Sequence, residues 1–366
     1  MHVVVVSCSH RGDDARIIHR QAKSFLLAGH RVTAVISDPG SVARAFDPVG
    51  LERVSIRRAI GRRRVRAWRE ARRAVANLGA DFVIVHDLEL VPWIPRKRGQ
   101  MLVLDIHEDF VALVNDTTWI PRPLRILART GVRLVESVAR KRWTIVLAEE
   151  AYQQRFGECP VVPNTTWVDE TWAPVDEPLR VVYVGRLSAD RGVHDMIAIG
   201  RRLRERGGPQ LVLVGAADAE CRAALETAHR EGVVHWRGPL ANPDALNVVR
   251  GALVGLSLLH DVPNYVVSRP TKLMEYMAVG VPVVSTPLPL AAEMVRAAES
   301  GHVTEAWSGE ALIDEVVDIV TRLLDDPERR RIEGQTAWIY ARDSWNWNQD
   351  GQRFVSLMER LAGAAR

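Results

Sequence analysis

Two groups of residues have types and spacings that suit chemistry. In Ser268 to Pro287, SRPTKLMEYMAVGVPVVSTP, Pro270 suits the first turn of a helix and Gly280 the position just past its end. Lys272 and Glu275, three apart, then share one helical face. The first N–H groups of a helix are unpaired and its dipole is positive there, so this face suits an anionic ligand. Upstream, the strand-like run from Leu179 meets Gly185, Arg186 and Arg191 just before a helical segment carrying Met196, Ile197 and Ile199. Fixed cations therefore stand at a strand end. The second group lies in the other half, where Asp81-Phe-Val-Ile-Val-His-Asp-Leu-Glu-Leu and Met101-Leu-Val-Leu-Asp-Ile-His-Glu-Asp-Phe each run an apolar strand into a histidine and carboxylates. His86, Asp87 and His107 thus fall at strand C-termini, where open α/β sheets bind ligands. A structural histidine satisfied by a neighbouring carboxylate reads the same way. The chain contains no D-x-D and no compact His/Asp/Cys set, so no metal is expected.

The elements that must position these residues alternate regularly. Val3 to Ser7 reads as a buried strand, followed by the polar loop Ser9-His-Arg-Gly-Asp-Asp, a helical segment Ala15 to Ala28, Gly29, and a strand Arg31 to Ile36. That is a βαβ unit, which implies a parallel sheet with a ligand-facing loop after its first strand. The lack of G-x-G-x-x-G argues against a dinucleotide. A second alternation starts at Leu179 and ends in helices from Glu310 to Leu324 and Glu328 to Tyr340, with a tail from Trp345 to Leu361. A 366-residue α/β chain of this kind suggests two domains, at about 150 residues each. Thr165 to Pro178, with three prolines and acids in and around it, reads as the linker.

Charge distinguishes the halves. Residues 1–170 hold 27 Lys+Arg and 19 Asp+Glu, or +8; the rest hold 22 and 26, or −4. A basic half can meet nucleic acid, an anionic membrane or an anionic substrate. Arg57 to Arg73 carries nine arginines and one acid, and Trp119 to Trp143 is apolar on one side and basic on the other. Both fit a solvated or packed helix, and both fit a helix lying on anionic lipid. No nucleic-acid-binding signature accompanies the charge, so no nucleic-acid partner is expected. No apolar run approaches the ~20 residues that span a bilayer, and Met1-His2 leads directly into a strand, so a cytoplasmic protein is expected. Cys8, Cys159 and Cys221 show no paired spacing and read as inert thiols.

Taken together, Gly185-Arg-Leu-Ser-Ala-Asp-Arg-Gly-Val, Val162-Pro-Asn164, Pro270-Thr-Lys-Leu-Met-Glu-Tyr-Met-Ala-Val-Gly-Val-Pro-Val-Val and Trp345 resemble glycosyltransferase family 4 over nearly the whole chain, and Asp14-x-Arg16 resembles its N-terminal half. The resemblance implies a GT-B fold, with two Rossmann-like domains facing a central cleft. These are an acceptor-binding domain at 1–170, a nucleotide-sugar-binding domain at 171–345, and a helix at 346–366 crossing back to the first. It implies a retaining, metal-independent hexosyltransferase that uses a UDP- or GDP-sugar and no cofactor. The acceptor is expected to be a glycan or lipid-linked hydroxyl in cell-envelope synthesis. A peripheral position on the inner face of the plasma membrane would follow from the basic N-terminal domain.

By the same resemblance the donor is held by Gly185, Arg186, Arg191, Ser268, Pro270, Thr271, Lys272 and Glu275, with Glu275 on the nucleotide ribose. The transfer step falls to His107, Arg186, Arg191 and Lys272. Asp14, Arg16, His86 and Asp87 fall to the acceptor. Arg191 stands where the family usually has lysine. The first glutamate of the family's E-x7-E falls on Val267, so Asn264, Ser268 or Lys272 is expected to take over its contact. A non-catalytic nucleotide-sugar-binding module and a GT-B sugar-nucleotide epimerase are the alternatives.

Overall fold

The computed structural model describes residues 1–108, 110, 111, 114, 122–174, 179–266 and 269–364, with the side chains of Arg62, Arg122, Asn264 and Ala364 left aside. Val267, Ser268 and the Asn264 side chain, all invoked above, lie outside the described residues, as do 175–178 of the expected linker and 119–121 of the basic segment.

The chain divides into two compact units, Met1–Asn164 with Gln349–Arg366, and Thr165–Asn348. The boundary falls at 164 rather than 170 because the intervening residues fold with the second unit. Thr166 bridges Asn346, its carbonyl accepts from the Trp347 N–H at 2.7 Å, and Trp338 Nε1 donates to the Asp169 carbonyl at 3.1 Å. At the other end, the helix Trp347–Ala364 puts Phe354 edge-on against Phe25 and Glu359 2.9 Å from His30.

Among the described residues the first unit is a parallel sheet of β1 (His2–Val6), β2 (Arg31–Ile36), β3 (Leu51–Ser55), β4 (Phe82–Val85), β5 (Met101–Ile106) and β6 (Thr144–Leu147), in the order β3-β2-β1-β4-β5-β6. Its central strands are runs of Val, Ile and Leu buried on both faces, as a parallel sheet covered by helices requires. The strand order reverses between β1 and β4, so the loops after these strands splay apart and open a crevice at the sheet's C-terminal edge. The loop after β1 ends at Asp14, whose carboxylate accepts from the Ile17 N–H at 3.0 Å and starts the helix. Periodicity predicts one α-helix over Ala15 to Ala28. Instead Ala15–Ala22 winds in the wider π pattern before the α-helix Lys23–Leu27. This winding buries Arg16, His19 and Arg20 beside Ile17 and Ile18, and such turns concentrate at functional sites.

The second unit repeats the plan with β7 (Arg180–Val184), β8 (Gln210–Val214), β9 (Val234–Trp236), β10 (Val254–Ser257), β11 (Val283–Ser285) and β12 (His302–Val303), ordered β12-β11-β10-β7-β8-β9. Its order reverses between β7 and β10. The helix Thr271–Ala278 follows β10, with Pro270 one residue earlier than its sequence suggests, capping in extended geometry at φ −68° and ψ 113°. Gly280 then turns the chain at φ +71°, and a Cβ there would fall 2.1 Å from Trp172 Nε1. Glycine is therefore required twice over, by the backbone angle and by the indole packed against it.

Candidate active site

In the first unit, three elements bring charged side chains to the crevice. Asp105, near the end of β5, is gripped by Arg16 through Nε and Nη2, both at 2.8 Å, and by Gln21 Nε2 at 2.8 Å. Burial alone would raise the Asp105 carboxyl, but Arg16, with His86 and His107 beside it, holds it well below the usual carboxylate range. Asp87, after β4, accepts from the Cys8 N–H at 2.5 Å, from His10 Nδ1 at 3.1 Å and from the Ser9 hydroxyl. It too is held low against burial, mainly by His10. His86 is fully buried with Nδ1 3.1 Å from Asp105. Of the four residues expected to meet an acceptor, the fold thus gathers Asp14, Arg16, His86 and Asp87 around one crevice. Arg16, His86 and Asp87 are at most 2% exposed. These three build the floor of the crevice rather than its lining.

His107 sits at the rim, with Nδ1 3.3 Å from the Asp105 carbonyl and Nε2 3.0 Å from Nε2 of His10. His10 is the residue that motif reading missed; the available signal was its place in the polar loop after the first strand of a βαβ unit. Burial pulls the His10 pKa down, yet the bond to Asp87 and the charges of Asp14, Asp87 and Glu108 lift it to about 10. His107 moves the other way, pushed far down by burial and then by His10, Arg16 and His86, against the pull of Asp105. Among the described residues, His86, Asp105 and His107 have potential metal-ligand atoms within 4.8 Å of one another. The set fits a metal poorly, because both Asp105 oxygens already face Arg16 and a divalent ion would lie against a fixed guanidinium.

In the second unit, Gly185 ends β7 at φ +144°, and a Cβ there would lie 3.3 Å from Tyr183 Oη and 3.5 Å from Lys272 Nζ. The missing side chain leaves Lys272 approachable. Lys272 occupies the first turn of Thr271–Ala278, 7% exposed, with Nζ 4.0 Å from the centre of the Tyr183 ring and without a hydrogen-bond partner. Burial, and then Arg191, push its pKa well below the usual lysine value despite Glu275. Arg191 donates to Tyr265 Oη at 3.1 Å, and Tyr265 in turn donates to Asp190. Arg186 is 65% exposed and forks onto Asp218 at 2.7 and 2.8 Å, so a phosphate would have to draw it off that partner. An exposed pair of this kind is worth only about 0–1 kcal/mol, so the exchange is cheap. Glu275, one turn beyond Lys272, is 8% exposed and accepts from Asn242 Nδ2 at 3.2 Å. The expected donor residues other than Ser268 therefore gather at the strand-order reversal of this sheet.

Residues 178–322 match the family model described as Glycosyl transferases group 1. The match lies within the second unit. The matched stretch contains every residue assigned to the donor above. A 139-residue stretch of the chain is 30% identical to WcaL of Escherichia coli (strain K12), a protein named for glycosyl transfer in colanic acid biosynthesis. That alignment spans 37% of this chain and 34% of the relative, about a third of its length. Whole-chain likeness is structural. Sucrose-phosphate synthase from Thermosynechococcus elongatus superposes with a TM-score of 0.72 at 18% identity, covering 100% of both chains. Anabaena Alr3699/HepE in complex with UDP-glucose gives 0.70 at 14%, covering 98% of this chain and 100% of that one. WaaG, a glycosyltransferase involved in lipopolysaccharide biosynthesis, gives 0.68 at 16%, with 98% and 99% covered. The fold is GT-B, with the matched stretch in its C-terminal half.

Proposed function

We propose that the chain is a family 4 retaining glycosyltransferase. It moves a sugar from a UDP- or GDP-sugar to an acceptor hydroxyl in the synthesis of a cell-envelope polysaccharide or glycolipid. The observation that carries this reading is the Lys272 amine, buried without a hydrogen-bond partner beneath a glycine at a helix N-terminus. A buried polar group left in that state costs stability, and an arriving phosphate oxygen would satisfy it. The HepE complex with UDP-glucose and the envelope-related names of WcaL and WaaG support the ligand class and setting.

Breaking the bond between an anomeric carbon and a nucleoside diphosphate builds negative charge on the departing phosphate. Cations and helix N–H groups aimed at that charge lower the barrier. Lys272, Arg191 and the first turn of Thr271–Ala278 fill this role, with Arg186 recruited from Asp218 and Glu275 accepting from the ribose hydroxyls. These fixed cations do the work of a divalent ion. The leaving phosphate takes the acceptor's proton, and His107 positions the sugar. A thermal-shift series with nucleotide sugars tests donor binding, since a ligand that binds only the folded state raises its stability. An inverted product anomer by NMR would sink the retaining mechanism, and donor binding without turnover on any acceptor would favour the non-catalytic module.

A membrane-borne acceptor is favoured by the helix Arg125–Arg142. It exposes Leu127 and Leu134 at 70% and 66%, and carries Arg125, Arg129 and Arg133 on another face. Among the described residues no helix is long and apolar enough to cross a membrane. We therefore place the protein peripherally, its basic helix lying on anionic lipid. Failure to float with anionic vesicles at low salt would exclude this.

A further inference from the structure

The contact between two imidazole nitrogens fixes the protons of the His10–His107 pair. His10 Nδ1 lies 3.1 Å from a carboxylate oxygen of Asp87, and His107 Nδ1 lies 3.3 Å from the carbonyl oxygen of Asp105. Carboxylates and carbonyls only accept, so both Nδ1 atoms carry hydrogen. The Ser7 and Ser9 hydroxyls lie 2.9 and 3.2 Å from His10 Nδ1 and both also reach Asp87; with their hydrogens on that carboxylate they accept from Nδ1. The two Nε2 atoms stand 3.0 Å apart, a separation that needs one more hydrogen between them. Three N–H protons on two rings make one ring a cation.

The surroundings place that cation. The groups facing the pair are Asp14 at the helix start, His86 and Asp87 after β4, Asp105 and Glu108 around the end of β5, and Arg16. Asp87 bonds His10 directly, and Glu108 comes within 3.8 Å of it. His107 instead packs its ring edgewise against His86 and lies in the field of Arg16. Asp105 Oδ2 lies 3.6 Å from His107 Nδ1 and draws charge toward it, but both Asp105 oxygens are already bonded by Arg16 and Gln21, whereas Asp87 bonds His10 directly.

We infer that His10 is the imidazolium of this site at neutral pH and the positioning residue for His107, which it holds neutral, protonated on Nδ1, with its Nε2 lone pair committed. His107 is then no free base. It is a fixed hydrogen-bonding ring backed by a permanent positive charge. Only the effect on catalysis rests on the proposed glycosyl transfer; the protonation pattern stands without it.

The test is a long-range proton–nitrogen correlation spectrum of the histidine rings in the ¹³C,¹⁵N-labelled full chain at neutral pH, with His10 and His107 assigned in wild type through their side-chain carbons to the backbone. The expected result is an imidazolium pattern for His10 and a neutral Nδ1–H tautomer for His107, with His10 becoming neutral in Asp87→Asn. Two neutral rings, or the cation on His107, would overturn the inference. This arm uses wild type without substrate, so it decides the matter even if the variants fold poorly. In the activity arm, His10→Gln keeps an N–H for His107 but removes the charge. The expected kcat falls about 100-fold, as when one fixed charge-stabilising group is deleted, while the UDP-glucose thermal shift is unchanged. An unchanged kcat overturns the positioning role. A wild type that neither binds nor turns over any nucleotide sugar fails the proposed function and leaves the spectroscopic result to stand or fall by itself.

Discussion

Replacing Lys272 with Met removes the amine and keeps most of the buried stem, and the consequences for stability and for binding have opposite signs. Burial holds the folded-state pKa of Lys272 below its unfolded value. Between those two values the unfolded chain carries one proton more than the folded one. Stability therefore rises with pH there, at about 1.4 kcal/mol per pH unit, and is lowest below the folded-state value. Lys272→Met abolishes that slope, so the ligand-free variant should melt higher than wild type at neutral pH, with the gap closing under alkaline conditions. For a unit the size of Thr165–Asn348, each kcal/mol corresponds to roughly 2–4 °C. Donor binding should move the other way. A hydrogen bond to a charged group contributes about 1.5–3 kcal/mol, so affinity for UDP-glucose should drop on the order of 10- to 100-fold. Paired thermal-shift series with and without UDP-glucose, across neutral to alkaline pH, read both effects. Calorimetry in buffers of different ionisation enthalpy should also show wild type taking up a proton on binding and the variant taking up none. A ligand-free variant that melts lower than wild type, with an undiminished UDP-glucose shift, would refute the reasoning and make Lys272 a packing residue.

Gly185→Ala should weaken the donor, because its Cβ enters the space over Lys272 at a φ of +144°; the strain is about 1–3 kcal/mol, seen as a smaller UDP-glucose shift in a folded protein by circular dichroism. Asp105→Asn leaves Arg16 buried without its counter-charge and should cost about 3–5 kcal/mol, read as a lower urea midpoint at neutral pH. Since Asp105 titrates lower in the folded state than in the unfolded one, its stabilisation is complete above the ordinary carboxylate range and is lost as pH falls toward the folded value; the variant should lose less on acidification. Gly280→Ala drives a methyl into Trp172 and forces a strained φ, for an expected loss of about 2 kcal/mol or more, followed by tryptophan fluorescence during urea unfolding.

Both sheets were legible because their strands are short runs of Val, Ile and Leu separated by glycine-ended helical segments, a pattern that local periodicity records. The residues expected to hold the donor come together for a related reason. Gly185, Lys272 and Glu275 lie beside the backbone features that create their site, a strand end and a helix start, so neighbours in sequence are neighbours in space. The first unit behaves differently. Arg16 and Asp105 are 89 residues apart and His10 and His107 are 97 apart, so their pairing follows from strand order, which periodicity does not contain. Motif reading therefore assigned Arg16 to the acceptor without showing that its Nε and Nη2 bond Asp105 within the fold, and passed over His10. The π winding of Ala15–Ala22 was hidden for the same reason, since its apolar spacing differs little from that of an α-helix over two turns.

The two crevices also show how to tell a charged group that builds a site from one that waits for a ligand. In the first unit Asp87 and Asp105 have found their cations within the fold, and deleting one partner exposes an uncompensated buried charge. In the second, Arg191 and Arg186 are similarly occupied, by Tyr265 and by Asp218. The one charged atom of Lys272 is buried over the Tyr183 ring at 4.0 Å without a hydrogen-bond partner, a state that burial makes costly. If Lys272→Met gains stability as expected, the cost of the amine is accounted for by the anion we propose it receives. Sequence types and spacing marked both groups as candidates; only the count of who already holds whom separates the scaffold from the binding residue.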